Sequence, residues 1–371
     1  MPSKKTVKFI DLFSGMGGIR IGFEQAFNAA GYDTECVLTS EIKDSALKAL
    51  KINFTKTEEF RGDIRVIRTD SIAEFDFLLG GFPCQAFSVA GKQRGFADTR
   101  GTLFFEIERI LEAKRPFGFL LENVGGLVTH DRENTTDKIG RTMQTILCKL
   151  DAMGYAVNWR VLDSKDFGLA QTRQRVYIVG TRKDNISLDE FPVTSAVFGD
   201  IMEHGLPTER GLFSTKLFAN YKPDELYGKS IKDKRGGPNN IHSWDLGLRG
   251  DIIESERLLL NKILTQRRKK IWSAIIGIDW MDGIPLTLDQ IKTFYNVSGL
   301  KVLLDSLVQK GYLILEHPKQ KVWTATSSNT NPTYERVQDT TKPMGYNIVT
   351  GKLSFQFSRI LCPNAITPAM V

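Results

Sequence analysis

The stretch Phe9-Ile10-Asp11-Leu12-Phe13-Ser14-Gly15-Met16-Gly17-Gly18 begins as an apolar strand, turns through glycines and opens an amphipathic segment. Glycines let the backbone approach a ligand closely, and the N-terminus of the following helix adds a favourable field. This order is typical of an α/β domain that binds a nucleotide-like cofactor. A tight turn without any ligand has the same pattern, so the neighbouring segments must decide between the two.

Short β-rich runs alternate with amphipathic stretches through the first 180 residues. The alternation predicts an α/β fold with a doubly wound, mostly parallel sheet covered by helices on both faces, Rossmann-like in type. We expect strands at Val7–Leu12, Glu35–Ser40, Phe75–Leu79, Phe117–Leu121, Ala156–Leu162 and Val176–Gly180, and helices at Gly18–Ala30, Lys43–Ile52, Leu103–Lys114 and Lys138–Met153.

The alternation ends after Gly180, and the rest of the chain is richer in loops and basic residues. A chain of 371 residues exceeds the length, about 250–300 residues, at which single cores stop growing. We therefore expect a cofactor-binding domain at 1–183 and a second, smaller region at 184–371. That region is predicted to contain a helix at Arg257–Trp272, two short helices within Thr287–Gly311, and strands at Tyr312–Glu316 and Lys321–Ala325.

The composition describes an ordinary globular protein with a basic balance. Hydrophobic residues make up 41% and charged residues 25% of the chain, and the net charge is +7. No apolar run approaches the roughly 18–20 residues of a membrane span, and the N-terminus has no signal-peptide pattern, so we expect a cytoplasmic protein. Four scattered cysteines and four histidines predict neither a metal site nor a disulfide framework. The positive charge favours a polyanionic partner without requiring one.

The chemistry is carried by Gly80-Gly81-Phe82-Pro83-Cys84-Gln85-Ala86-Phe87-Ser88, which follows a predicted strand. A single cysteine after a strand is usually inert core, but a Pro-Cys turn between glycines and polar residues is the setting that a nucleophilic thiolate requires. This segment resembles the signature of the C5 cytosine methyltransferase family, in which Pro-Cys-Gln contains the catalytic cysteine. Further blocks follow in the family's order: Asp98-Thr99-Arg100-Gly101-Thr102-Leu103, Glu122-Asn123-Val124 and Gln171-Thr172-Arg173-Gln174-Arg175.

The resemblance covers residues 7–182 closely and implies a DNA (cytosine-5)-methyltransferase that uses S-adenosyl-L-methionine. Cytosine C5 is a poor nucleophile, so the thiolate of Cys84 would add to C6, while Glu122 would protonate or hydrogen-bond N3. Arg173 and Arg175 lie two apart on a strand-like run and therefore share one face. By resemblance, Arg175 contacts O2 of a cytosine that has been rotated out of double-stranded DNA.

The cofactor pocket is assigned from the same resemblance and from two acidic residues that follow predicted strands. An acidic residue at a strand end, such as Glu41, can accept hydrogen bonds from ribose hydroxyls, and Asp63 with Ile64 would meet the adenine. Either carboxylate could equally be a solvated loop charge. The expected cofactor residues are Phe13, Gly15, Gly17, Gly18, Glu41, Asp63, Ile64, Pro83 and Leu103.

The basic second region resembles the family's variable part, which reads bases and contacts phosphates. Asn239, Asn240 and Trp244 are candidate base readers by residue type, although loop residues without a DNA role have the same composition. The expected DNA-binding residues are Ser88 and Gln93 in the loop Gln85–Gly101, together with Lys234, Arg235, Arg249, Arg267 and Arg268.

The sequence leaves several alternatives open. Family members continue beyond a segment like Arg359–Val371, so we expect either a complementing C-terminal chain, a truncated copy or an incomplete sequence. A tRNA methyltransferase of the same family would use the same blocks, and a non-catalytic DNA-binding relative would retain many of them. A dehydrogenase that uses the glycine turn for NAD is disfavoured by Pro-Cys-Gln. The DNA enzyme would most naturally belong to a bacterial restriction–modification system.

Overall fold

A computed structural model describes residues 5–54, 59–83, 103–207, 211–234, 236–324, 333–350 and 359–368 of the chain. It divides into two compact units, one formed by residues 1–197 with 366–371 and the other by residues 198–365. The division falls later than the boundary after residue 183 that the sequence suggested. Each unit has its own apolar core.

The first unit contains one seven-stranded sheet in the order β3-β2-β1-β4-β5-β7-β6. Its neighbours are parallel except that β7 is antiparallel to both β5 and β6. The doubly wound, mostly parallel sheet expected from the sequence is thereby confirmed. The strands are β1 (Thr6–Leu12), β2 (Asp33–Ser40), β3 (Glu59–Arg61), β4 (Phe77–Gly80), β5 (Gly118–Val124), β6 (Ala156–Asp163) and β7 (Gln174–Thr181).

Four helices flank this sheet, and each begins within a few residues of its predicted start. They are α1 (Gly18–Ala29), α2 (Asp44–Asn53), α3 (Leu103–Lys114) and α4 (Arg141–Ala152). The central strands are apolar on both faces because helices cover both sides, and Ile10, Leu12 and Leu78 are fully or almost fully buried. The short strand β3 was not predicted, because Glu-Phe-Arg has no apolar run to mark it.

The strand directions bring the candidate site residues to one edge of the sheet. Register pairs Leu12 with Ser40 and Gly80, and Ser40 with Arg61. Because β7 runs antiparallel, its first residues lie at the same edge as the last residues of β5, and Val124 pairs with Arg175. The carboxyl ends of β1 to β5 and the amino end of β7 therefore form a common rim.

The second unit is built mainly of helices and short antiparallel strand pairs. Strand β10 pairs with β13 and β11 pairs with β12, both antiparallel, whereas β8 and β9 form a short parallel pair. Its elements are α5 (Leu212–Asn220), α6 (Pro223–Leu226), β8 (Ser230–Ile231), β9 (Asn240–Ile241), α7 (Glu254–Gln266), α8 (Lys270–Ile276), α9 (Leu288–Lys292), α10 (Leu300–Gln309), β10 (Leu313–Glu316), β11 (Lys319–Thr324), β12 (Thr333–Gln338) and β13 (Gly345–Ile348).

The single helix predicted at Arg257–Trp272 is wrong. The chain forms α7 and α8 with a break between them, where Lys269 has extended backbone angles. At this break the Arg267 side chain is buried and donates a hydrogen bond to Asn347 on β13. This inward contact gives Arg267 a tertiary partner that periodicity in the sequence alone could not reveal.

Candidate active site

A carboxylate and a guanidinium meet at the rim of the first sheet. Glu122 near the end of β5 and Arg175 at the start of β7 are both largely buried, and Arg175 Nε lies 2.7 Å from Glu122 Oε1. Arg175 also donates a hydrogen bond from Nη1 to the carbonyl oxygen of Gln174. The antiparallel pairing of β5 and β7 thus brings together two side chains that are far apart in sequence.

The Glu122 carboxyl experiences opposing influences. Burial raises its pKa above the ordinary value, while the positive charges of Arg175 and Arg173 act in the other direction. Burial is the larger effect because it removes the water that would stabilise the carboxylate. A raised pKa favours the protonated carboxyl, which is the form that can donate a proton to a ring nitrogen.

The segment that leads to Cys84 runs directly beside this pair. A Cβ atom placed on Gly81 would lie 3.6 Å from Glu122 Oε2. Asn123, which is buried, donates from Nδ2 to the carbonyl oxygen of Phe82, and its Oδ1 accepts from the Val124 backbone N–H. Asn123 therefore holds the turn after β4 against the end of β5.

Asn123 was not singled out as a site residue from the sequence, although its place after Glu122 in the Glu-Asn-Val block was a usable signal. Pro83 is the last described residue before the gap at 84–102. Four predicted site residues lie outside the described residues, and these are Cys84, Ser88, Gln93 and Arg235.

The paired-arginine block is held by the end of β6. Asp163, a buried residue, accepts a hydrogen bond from the Arg173 backbone N–H at 2.9 Å. The backbone N–H of Ser164 donates to the Arg173 carbonyl, and its hydroxyl donates to the Gln171 carbonyl. Asp163 is a positioning residue that sequence reasoning missed, because only the β6–β7 pairing places it opposite the block.

The glycine turn after β1 has backbone angles that most residues avoid. Phe13, Gly15 and Gly17 all have positive φ, at 55°, 57° and 87°. Positive φ is rare for a bulky residue such as Phe13, and strain of this kind concentrates at functional sites. A Cβ on Gly17 would lie 2.5 Å from the Phe54 ring, whereas one on Gly15 or Gly18 would meet nothing within 4 Å. The turn is therefore packed against the Phe54 ring at Gly17 and open at Gly15 and Gly18.

Glu41 connects this turn to the end of β2. Its Oε2 accepts from the Gly15 backbone N–H at 2.8 Å, and its Oε1 accepts from the N–H groups of Ile42 and Lys43, each at 2.8 Å. These contacts fix the direction of the carboxylate. Each oxygen of a carboxylate has two lone pairs, so Glu41 retains acceptor capacity for a ribose hydroxyl.

Asp63 follows β3 and caps a short turn. Hydrogen bonds from the Arg65 side chain and backbone N–H lower the pKa of Asp63 against the opposing effect of burial. The Ile64 side chain belongs to the apolar core, so only its backbone is available to a ligand. Leu103 is partly buried against the same core. The open glycine turn and the two carboxylates on neighbouring strand ends fit an adenosyl group with donor hydroxyls and a donor amine.

The basic residues predicted to bind DNA have different surroundings. Arg267 is 2% exposed and donates to Asn347 Oδ1 at 2.6 Å, and burial lowers its pKa to about 10. Its predicted phosphate contact is therefore corrected: it is an interior residue. A guide to this was available in the sequence, because Arg267 continues the apolar stripe of Leu260 and Ile263 on α7.

Two more of the proposed DNA contacts have structural partners. Arg249 donates from Nη1 to the Gly311 carbonyl at 2.7 Å, and Trp244 is 1% exposed, stacked on His242. Trp244 cannot read bases from this position, which corrects that prediction. Lys234 is exposed. Arg268 forms an ion pair with Asp282, with 2.7 Å between Nε and Oδ1, and its side chain remains partly accessible.

Within the described part of the chain no group of His, Cys, Asp and Glu residues is arranged to hold a metal ion. In the same residues no helix has both the length and the apolar character needed to cross a membrane.

Comparison with known proteins gives concordant matches. The sequence model of the family described as "C-5 cytosine-specific DNA methylase" matches residues 7–259. Type II methyltransferase M.NlaIV of Neisseria lactamica is 55% identical over 98% of this chain and 84% of its own length. Type II methyltransferase M.NgoBV of Neisseria gonorrhoeae is 54% identical over the same shares. Type II methyltransferase M.BanI of Aneurinibacillus aneurinilyticus is 42% identical over 97% of this chain and 80% of its own.

Proposed function

The chain belongs to the C-5 cytosine-specific DNA methylase family, and from this premise we propose that the rim carrying Glu122 and Arg175 is its catalytic centre. It is a DNA (cytosine-5)-methyltransferase, and its relatives are type II methyltransferases of restriction–modification systems. The observation that carries the catalytic assignment is the largely buried Glu122–Arg175 pair beside Gly81, three residues before Cys84.

The family uses S-adenosylmethionine, which supplies an electrophilic methyl group when bound. We assign its binding to the glycine turn, with Glu41 directed at the ribose and Asp63 at the adenine. Support for this comes from the open space above Gly15 and Gly18 and from the fixed direction of the Glu41 carboxylate. The protein's part is to hold the methyl donor above the rim so that C5 of cytosine can reach it.

At the rim, the chemistry requires a nucleophile and an acid on the same cytosine. The Cys84 thiolate adds to C6, and the electron pair of the C5–C6 bond becomes available at C5 while N3 takes a proton or a hydrogen bond from Glu122. C5 then takes the methyl group of bound S-adenosylmethionine, which leaves as the neutral thioether. Release of the C5 proton to solvent restores the C5–C6 double bond and expels the thiolate, and N3 returns its proton to Glu122, so Cys84 and Glu122 regain their starting states.

The surroundings of Glu122 suit both halves of this cycle. Burial favours the protonated carboxyl that approaches N3, and Arg175 stabilises the carboxylate that remains after the proton has moved. These opposing influences favour both giving the proton and regaining it. We assign Arg175 the second task of contacting O2 of the cytosine, because its guanidinium points to the same rim. Arg173 contributes positive charge to the site.

The substrate is double-stranded DNA, and the target base must leave the stack to reach this rim.

We also propose that a complementing C-terminal segment packs at the same edge. Its support is that Met16, Ile42 and Val66, which follow β1, β2 and β3, are apolar and strongly exposed. Exposed apolar residues grouped at one edge favour coverage by another polypeptide segment.

A covalent trap tests the catalytic assignment. Duplex DNA containing 5-fluorocytosine is incubated with labelled S-adenosylmethionine and the purified chain, with and without the relatives' C-terminal segment added in trans. We expect a covalent protein–DNA adduct with wild type and none with Cys84→Ser. The matched control is Cys148→Ser, because Cys148 is exposed on α4, and this variant is expected to form the adduct normally. An adduct with Cys84→Ser, or none with wild type under both conditions, contradicts the proposal.

The same assay decides the RNA alternative. Family membership favours DNA over tRNA as the substrate. We expect methyl transfer to duplex DNA and none to tRNA in parallel reactions, and preferential transfer to tRNA would contradict the assignment of the substrate.

A further inference from the structure

Part of the second unit has an element order that the catalytic assignment does not use. Helix α7 is followed by α8 and then by the short helix α9. A connection through residues 293–299 leads from α9 to helix α10. Strands β10 and β11 then lead out along the chain, and β12 and β13 return. The order is therefore α7, α8, α9, a turn, α10 and a long β-hairpin.

A third strand position completes a small sheet at the base of the hairpin. Leu286 and Tyr346 exchange two backbone hydrogen bonds, at 2.7 and 3.0 Å, which places the segment before α9 beside β13. Strand β13 pairs with β10 on its other side. The order across this sheet is Leu286, β13, β10, and all neighbours are antiparallel. This is the topology of a winged helix-turn-helix, with the β11–β12 hairpin as the wing.

The two helices of the turn begin with strong local signals. Thr287 accepts from the Gln290 backbone N–H, and Gln290 Oε1 accepts from the Thr287 N–H, which is a reciprocal capping box. Gly299 precedes α10 with φ +75°, a conformation that favours glycine. Both helices therefore start where the sequence provides the cap.

One face of α10 packs into the core of this unit. Leu300, Leu304 and Leu307 are almost fully buried together with Ile291 of α9 and Leu260 of α7. This helical stripe fixes which side of α10 faces outward.

The opposite face of α10 is exposed and carries residues suited to reading bases. The side chains of Lys301 and Asp305 are 58% and 54% exposed, and Val302 is 71% exposed. Gln309 is exposed on the same face by its helical spacing. We call this set, Lys301, Val302, Asp305 and Gln309, the outer face of α10.

The inner side of α10 is also tied down by a buried carboxylate. Glu256 of α7 accepts hydrogen bonds from Ser306 Oγ at 2.6 Å and from Lys310 Nζ at 2.7 Å. Glu256 is itself 2% exposed. This link fixes the rotation of α10 about its own axis, so the outer face is presented in one orientation.

We propose that this winged helix-turn-helix, described at residues 254–324 and 333–348, inserts α10 into the DNA major groove and that the outer face of α10 determines sequence preference. The inference rests on the proposed function, since it names the element by which the enzyme selects its site. The major groove of B-DNA, about 12 Å wide, admits a helix, and the second helix of a helix-turn-helix is the one that enters it. Lys301 suits guanine acceptors, Asp305 the cytosine amino group, and Val302 the thymine methyl group.

Charge supports DNA as the occupant of this surface. The chain carries a net charge of +7, and the wing strands contain three basic residues, Lys319, Lys321 and Arg336, against one acidic residue, Glu335. Lys319 also pairs with Glu316 at 3.6 Å. Basic residues on a wing are placed to meet phosphates beside the groove that the helix occupies.

The test replaces the outer face with alanine in the full chain. The variant Lys301→Ala, Val302→Ala, Asp305→Ala removes both members of the Lys301–Asp305 ion pair, so neither charge is left alone. Alanine also preserves helix propensity. The matched control is Lys262→Ala, an exposed lysine on α7. The probe is a pool of duplexes with a randomised window, from which bound duplexes are selected and sequenced, and methylated cytosines are mapped separately in the presence of S-adenosylmethionine.

We expect wild type and Lys262→Ala to select the same sequence with affinities that agree within about 2-fold, as expected for one phosphate contact or none. The triple variant should bind that sequence at least about 100-fold more weakly, or with altered preference at the contacted base pairs. Its thermal unfolding and its affinity for S-adenosylmethionine should equal those of wild type. If the triple variant does not fold, the single variant Val302→Ala is measured instead, and it should change the sequence preference at one base pair.

A triple variant that keeps the wild-type sequence preference and affinity overturns the inference. So does a variant that changes only the oligomeric state, because α10 would then contact protein rather than DNA. Binding is measured without methyl transfer. Wild type that selects a site through α10 but transfers no methyl group, with or without the added C-terminal segment, would therefore contradict the proposed function and leave this inference standing.

Discussion

Arg175 Nε and Glu122 Oε1 lie 2.7 Å apart across the antiparallel pairing of β5 and β7. The register sets this contact, because Val124 is opposite Arg175 and Glu122 is opposite Tyr177. In an all-parallel sheet the start of β7 would lie at the far edge, away from Glu122. The single reversed strand is thus what brings the arginine block to the acid.

Replacing Arg175 by methionine should move the titration of Glu122 to higher pH. The arginine charge lowers the pKa of Glu122 against the dominant effect of burial, so its removal leaves burial unopposed by that charge. The protonated carboxyl then persists to higher pH. The measurement is the pH dependence of adduct formation with 5-fluorocytosine DNA. Arg160→Met, on the neighbouring strand β6, is the control and should leave the profile in place. A shift to lower pH in Arg175→Met would contradict the assignment.

Replacing Glu122 by glutamine should lower single-turnover methyl transfer by about 100- to 10,000-fold, the usual contribution of a positioned acid. Glutamine can still donate a hydrogen bond but cannot give up a proton at neutral pH. Glu112→Gln, at an exposed position of α3, should transfer at the wild-type rate. The affinity for S-adenosylmethionine should be equal in both variants. A loss of less than about 10-fold in Glu122→Gln would show that Glu122 does not act as the acid.

The sequence was sufficient for features that depend on local pattern. Apolar runs marked six of the seven strands, and the two-residue spacing of Arg173 and Arg175 predicted that both share one face of a strand-like run, of which only Arg175 lies within β7. Features that depend on distant partners were out of reach. Arg267 was expected at a phosphate because four basic residues follow one another there, but Asn347, eighty residues away, holds it inside. Asp163 and Asn123 position the site through contacts that exist only after the strands have paired.

Gly17 and Gly22 form a matched pair for testing the glycine turn. Gly17→Ala should destabilise the first unit by about 1–3 kcal/mol, because φ is +87° and the new Cβ would meet the Phe54 ring. Gly22 lies in α1 with open space around it, so Gly22→Ala should stabilise by about 0.5–1 kcal/mol. The measurements are urea unfolding and calorimetric titration with S-adenosylmethionine, whose affinity should fall only in Gly17→Ala. Equal effects of the two substitutions would argue against a shaped turn.

Glu41→Gln should weaken S-adenosylmethionine binding by about 10-fold, a typical loss for one charge-assisted hydrogen bond. The neutral amide has one acceptor oxygen in place of two, so it cannot serve Gly15, Ile42 and a ribose hydroxyl together. The control is Glu35→Gln on strand β2, the strand that Glu41 follows, and the Glu35 carboxylate makes an exposed ion pair with Lys8. Calorimetry should show unchanged affinity for the control. Unchanged affinity in Glu41→Gln would assign the residue a purely structural role.

Glu256→Gln should destabilise the second unit at neutral pH by about 3 kcal/mol, because Lys310 loses its buried partner. Burial alone would raise the pKa of Glu256, but hydrogen bonds from Lys310, Ser306 and the Ile253 backbone outweigh it and lower the pKa below the ordinary value. The unfolded chain then binds more protons than the folded chain between the two pKa values. The stabilisation is therefore complete above the ordinary pKa and is lost as the pH falls through the folded one.

The difference in unfolding free energy between wild type and Glu256→Gln should accordingly shrink in acid, where the wild-type carboxyl is also neutral. Urea unfolding followed by tryptophan fluorescence measures it, since Trp244 and Trp272 are buried in this unit. Glu254→Gln, at an exposed position of the same helix, should change stability by less than about 0.5 kcal/mol at either pH. A difference that stayed constant down to low pH would show that the loss comes from altered packing and not from the ion pair that holds α10.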